Sequence, residues 1–328
     1  MPLLPLLLTL AAAPRWTVVP TETTASFRAV DAGDGKACWA SGSKGTIART
    51  LDGKAWTVAQ VKGAETADFR SIAAFGANEA VALAVGDGPE SRVYRTEDGG
   101  KSWTKAWQNP DASAFYDALA FWDRDHGLMF GDPVDGHLPL LSTDDGGRTW
   151  RRLDADIPVA LPGEAAFAAS GRSLALSGTS DAWIVTGGGG ERVFHSTDRG
   201  RTWTVSPTPL VPLTGSAGLF GILPLAGNGG LAVGGDYESD DAPGYLLRAV
   251  DGGDTWPSLP NFRPSGLREA AIRLGGGFLL VGPSGTDLSA DGGKTWRAVT
   301  NPGALHSVAD AGGTVWGVGD DGLIARLG

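Results

Sequence analysis

Residues 96–103 read TEDGGKSW, and the same octet returns along the chain. It appears as TDDGGRTW at 143–150, STDRGRTW at 196–203, AVDGGDTW at 249–256 and SADGGKTW at 289–296, with a shorter TLDGKAW at 50–56. The octet aspartates Asp52, Asp98, Asp145, Asp198, Asp251 and Asp291 are therefore spaced by 46, 47, 53, 53 and 40 residues. A repeat of about 40–50 residues carrying strand signals matches a propeller blade of four short strands. Within the octet, a carboxylate just before Gly-Gly can accept turn N–H groups, and glycine supplies the positive φ that closes a hairpin. The tryptophan at the octet end (Trp56, Trp103, Trp150, Trp203, Trp256, Trp296) opens the next strand, where its ring can cover the turn and the adjoining blade. Losing one such buried ring should cost about 3–5 kcal/mol.

The rest of each unit fits around this turn. FRSIAAF (69–75) and EAVALAVG (79–86) read as strands one and two, RVYRT (92–96) leads into the octet, and WTKAW (103–107) leaves it. GRSLALSGTSDAWIVTGG (171–188) lines up with residues 69–86. After the sixth octet, residues 306–328 supply three strands and no fourth, while Trp16-Thr17-Val18-Val19 matches the strands that follow the octets. The N-terminal strand should thus complete the last blade and leave no open sheet edge. The expectation is an all-β, seven-bladed propeller, with blades near 27–62, 68–108, 115–154, 164–206, 217–259, 267–300 and 305–328 plus 15–20. One closed ring over 14–328 replaces the two domains that length alone would imply.

Composition agrees. The 328 residues hold 50 glycines and 12 tryptophans against 4 tyrosines, as tight turns and one recurring aromatic require. Glycine without a three-residue period excludes collagen, and 42% hydrophobic residues exclude wholesale disorder. A net charge of -10 offers no field for a phosphate backbone, which argues against nucleic acid. Cys38 is the single cysteine, so neither an internal disulfide nor a four-thiolate metal site can form. The run PLLPLLLTLAAA (2–13) is too short to span a bilayer and has the form of a signal-peptide core with a small-residue cleavage site. A signal peptide over 1–13 and export to the periplasm or exterior are expected, although no basic residue precedes the core.

On these octets the chain resembles the Asp-box proteins, whose unit is the bacterial neuraminidase repeat. It is most similar to the photosystem II stability/assembly factor-like propellers and their relatives in non-photosynthetic bacteria, over Trp16 to Gly328. The resemblance implies an exported, non-catalytic, monomeric scaffold that binds a protein partner, in the phototrophic members a membrane protein under assembly. Some bacterial relatives carry an oxidoreductase label, but no dinucleotide fingerprint, CxxC pair or haem motif stands behind such chemistry here. No cofactor is expected. The Asp box also occurs in sialidases and xyloglucanase-type glycoside hydrolases, so the alternative is a carbohydrate-active enzyme on the same scaffold.

Aligned blade openings place Arg28, Arg70, Asp117, Arg172, Phe220 and His306 at one position, with Arg268 or Glu269 in blade six. One residue per blade makes a ring about the axis. Arg28, Arg70, Arg172, Arg268 and His306 are then candidates for binding an acidic peptide or carboxylate, and the resemblance, with its arginine-rich patch, points the same way. The competing reading is an ion-pair network that only holds the blades together. The octet aspartates read as turn structure. The loop acids Asp123, Asp125, Asp132 and Glu164 are the carboxylates a glycosidase would draw on. A solvated loop is the reading of the acidic insert with Asp236, Glu238, Asp240 and Asp241. His126, His137, His195 and His306 lack ligand spacing, so no metal is expected. The candidate catalytic set is empty.

Overall fold

Short runs of β-branched and apolar residues, each ended by a Gly- or Asp-containing turn, can satisfy their backbone groups only by pairing with sequence neighbours. A computed structural model describes residues 13–210, 214–239, 241–249 and 251–328. It shows that pairing repeated as seven antiparallel sheets around one axis, an all-β seven-bladed propeller. Blade two is representative: Asp68–Ala74 is innermost, followed outward by Ala80–Val85, Arg92–Thr96 and Thr104–Gln108. The signal peptide expected over 1–13 lies, apart from Ala13, outside the described residues.

The ring closes as the sequence implies. Trp16–Val19 pairs with Ile324–Leu327, in register Trp16 to Leu327 and Val19 to Ile324, and so supplies the outer strand of blade seven. Trp16 also donates from Nε1 to Thr286 Oγ1 of blade six at 3.2 Å, locking the closing strand to its neighbour.

The octets form the turns between the third and fourth strands. In the second, Asp98 Oδ1 accepts from Ser102 N at 2.9 Å and Oδ2 accepts from the Ser102 hydroxyl at 2.6 Å. Thr96 Oγ1 donates to Asp98 and accepts from Gly100 N, both at 3.0 Å. The Ser102 hydroxyl and then backbone donors pull the Asp98 pKa down to about 2. The tryptophans bridge blades: Trp56 meets Trp316 edge-on at 5.2 Å, Trp103 meets Trp39 at 6.1 Å, and Trp256 meets Trp183 at 6.0 Å.

Blades four and five depart from the expected limits. The inner strand of blade four begins at Leu174 and runs to Ser177. Upstream of it, Glu164–Ala165 pairs with Gly187–Gly188, and both join the sheet of blade five. The glycines are needed there, because a Cβ on Gly187 would stand 2.3 Å from the Phe167 ring and one on Gly189 would stand 2.0 Å from Pro162 O. Glu164, with Arg192 Nε at 2.9 Å and Thr186 Oγ1 at 2.6 Å, fastens this insertion from within. The fourth strand of blade five is reduced to a bridge between Leu247 and Ser258.

Candidate functional site

The innermost strands carry a repeated irregularity. The register slips between Phe27 and Ala29, Phe69 and Ser71, Tyr116 and Ala118, Leu219 and Gly221, and Leu305 and Ser307. Each slip is a bulge, in which one extra residue leaves the ladder and its side chain is re-aimed. The extra residues are Arg28, Arg70, Asp117, Phe220 and His306, the positions aligned from the sequence. In blade six Glu269 N bonds to Val281 O while Ala270 pairs with the same Val281, so Glu269 takes the bulge.

Arg268 is corrected on this ground. One residue before the bulge, its side chain turns into blade six, with Nε 2.9 Å and Nη2 2.8 Å from Asp287 and Nη1 on the Leu267 carbonyl. At 2% exposure it cannot meet a partner.

Three neighbouring bulge residues interact around the axis. His306 Nδ1 lies 3.0 Å from Glu269 Oε2 and 3.4 Å from Arg28 Nη1, and its Nε2 lies 3.1 Å from Asp320 Oδ1. Ser26 also donates to Asp320. Burial opposes a charged His306, but the Glu269 and Asp320 carboxylates outweigh it and push its pKa up to about 9. The hydrogen bond from His306 in turn holds Asp320 well below the carboxylate range. Blades six, seven and one are thereby joined, and the buried His306 belongs to this network. Asp117 differs: burial and then the nearby Asp132 carboxylate push its pKa well up.

The channel inside this ring is blocked. Residues Ala166–Arg172, upstream of the inner strand of blade four, enter it and touch the other blades. Ala166 N bonds to Asp132 Oδ1 at 2.8 Å, Arg70 Nη1 to Ala168 O at 2.9 Å, and Ser170 Oγ to Glu269 O at 3.2 Å. Arg172 Nη2 reaches the carbonyls of Val30 at 2.9 Å and Val308 at 3.0 Å. This plug separates Arg172 from the mouth that carries Arg28 and Arg70.

Those two arginines keep side-chain exposures of 23% and 30%. Arg70 pairs with Asp68 on its own strand at 2.8 Å, and Arg28 stands 3.9 Å from Asp320 of the next blade. The first and third strands of a blade run parallel, so the octet turns share the opposite face with the far ends of the inner strands. There the channel opens as a cavity of about 480 Å3, with Arg172 and Asp31 among its lining. The sequence offered Glu269 only as an alternative to Arg268 and marked neither Asp320 nor the plug, since their contacts join residues far apart in the chain. Aspartate after an inner-strand alanine-valine pair was the only trace of Asp31.

Three of the loop acids are each held by a partner of their own. Asp123 accepts from His126 at 2.9 Å, Asp132 is held by Ala166 N, and Glu164 is bound by Arg192. Asp236 of the acidic insert accepts from Glu238 N at 2.9 Å, and Asp240 lies outside the described residues. Among the described residues no three His, Cys, Asp or Glu side chains converge on a point that could hold a metal ion. Cys38 is a buried free thiol whose pKa burial pushes up.

Neither protein-family models nor curated proteins give a match to the chain. Solved structures do. YCF48 bound to D1 peptide is 17% identical, with a TM-score of 0.68 over 95% of this chain and 96% of that one. YCF48 from Cyanidioschyzon merolae is 16% identical, with a TM-score of 0.68 over 95% and 98%. The GH74 xyloglucanase from Xanthomonas campestris is 15% identical, with a TM-score of 0.65 over 95% of this chain but 53% of its own. At these identities the likeness is one of fold, a single seven-bladed propeller.

Proposed function

We propose that the chain is a non-catalytic binding propeller, working outside the cytoplasm, that holds an acidic segment of a partner protein at the axial mouth carrying Arg28 and Arg70. The observation that carries this reading is the pair of bulges that brings two partly exposed guanidiniums to one mouth of an otherwise acidic molecule. YCF48, a propeller of the same shape, is known with a D1 peptide bound, which supports a peptide as the kind of ligand. Export rests on the leucine-rich residues 2–13. A monomer fits a ring that one chain closes on itself, its N-terminal strand completing the last blade.

The test is the double variant Arg28→Gln/Arg70→Gln. Arg172 stays, because its guanidinium braces the plug. Fluorescence anisotropy with a labelled acidic decapeptide should show binding by the native protein at low salt. The double variant should keep its circular dichroism and lose more than about 100-fold in affinity, since a hydrogen bond to a charged group contributes about 1.5–3 kcal/mol. Equal affinity in a folded double variant would exclude this mouth as the site.

A further inference from the structure

The cavity on the octet face has the makings of a second site. Its volume of about 480 Å3 lies within the range of small-molecule sites. Its wall includes Ile72, Leu119, Leu176, Ile222 and Ile272, contributed by five blades. Four charged residues line it: Asp31, Asp123, Arg124 and Arg172. At the rim, Asp123 is taken by His126 and Arg124 pairs with Glu79. Deeper in, Asp31 Oδ2 accepts from Ala74 N at 2.9 Å, and burial pushes the carboxyl up despite the opposing pull of Arg172. Arg172 crosses the channel and spends Nη2 on the Val30 and Val308 carbonyls, while among the described residues its Nε and Nη1 meet no acceptor. A guanidinium always carries its charge and presents donors in a planar fork suited to a carboxylate.

We propose that this cavity binds a small aliphatic monocarboxylate, with the carboxylate on Nε and Nη1 of Arg172 and the tail along the apolar wall. The site is distinct from the Arg28 and Arg70 mouth, because the plug stands between them.

Isothermal titration of the full chain with sodium hexanoate tests this, with hexanol and hexylamine as neutral and cationic probes of equal length. Hexanoate should bind one per chain and about tenfold or more tightly than the other two. Arg172→Met should abolish that preference. Ile272→Trp, which fills tail space without touching the guanidinium, should weaken hexanoate by about tenfold. Should Arg172→Met fail to fold, Ile272→Trp decides. The Arg28→Gln/Arg70→Gln protein should bind hexanoate as the native chain does. No binding, equal binding of the three probes, hexanoate binding unaffected by Ile272→Trp, or its loss in the double variant would each overturn the proposal.

Discussion

A single hydroxyl sets the fifth octet apart from the others. In the other five, the Thr or Ser that opens the turn accepts a backbone N–H: Thr50 from Gly53, Thr96 from Gly100, Thr143 from Gly147, Ser196 from Gly200 and Ser289 from Gly293. The same hydroxyl donates to the octet aspartate, as Thr143 does to Asp145 at 2.8 Å. Ala249 occupies this place in blade five, so Asp251 is held by Thr255 and the Asp254 N–H without a hydroxyl from the strand before it. The site is 1% exposed and the equivalent Thr and Ser residues are equally buried, so a hydroxyl fits. Ala249→Ser should raise stability by about 0.5–1.5 kcal/mol through two new hydrogen bonds. A urea midpoint that stays put or falls would show that this turn is not closed like its siblings.

At the scale of elements, the plug is the departure from a regular blade. Gly171 sits at φ +70°, where a Cβ would stand 3.0 Å from the Arg70 carbonyl oxygen and 3.1 Å from the Ser71 Cα. Both the left-handed backbone and the close approach call for glycine. Gly171→Ala should therefore cost about 1–3 kcal/mol, seen as a lower melting temperature, and an unchanged melt would mean the plug is free to move. The octets made the blade period legible, because their turn chemistry is contained in eight consecutive residues. The plug was not legible. Gly171-Arg172-Ser173 aligns letter for letter with Phe69-Arg70-Ser71 at two of three positions, yet contacts with Arg70, Glu269 and Val308 draw it off the sheet. The same limit governs blade six. Whether Arg268 or Glu269 faces the axis depends on a one-residue bulge, and a bulge flips neighbouring side chains without leaving a local signal.

For the whole molecule, the decisive junction is where blade seven meets blades six and one. His306, Glu269, Asp320 and Ser26 form one hydrogen-bonded network across it, and Arg28 stands 3.9 Å from Asp320. His306 has its folded pKa raised from 6.5 to about 9, so its contribution is complete below pH 6.5 and is lost as pH rises through about 9. Asp320 is lowered from 3.8, so its contribution is present above that value and is lost as pH falls. Thermal melts from pH 6 to 10 should show a decline on the alkaline side that His306→Gln flattens. A decline of the same depth in the variant would place its origin elsewhere. The closing strand adds a consequence in time. Trp16–Val19 is synthesised about 300 residues before its partner Ile324–Leu327, so at common elongation rates it waits roughly 15–60 s. Throughout that interval its backbone groups face solvent or any other strand within reach. A newborn chain is thus most open to trading strands with a second copy at blade seven, the place where the finished ring has its seam.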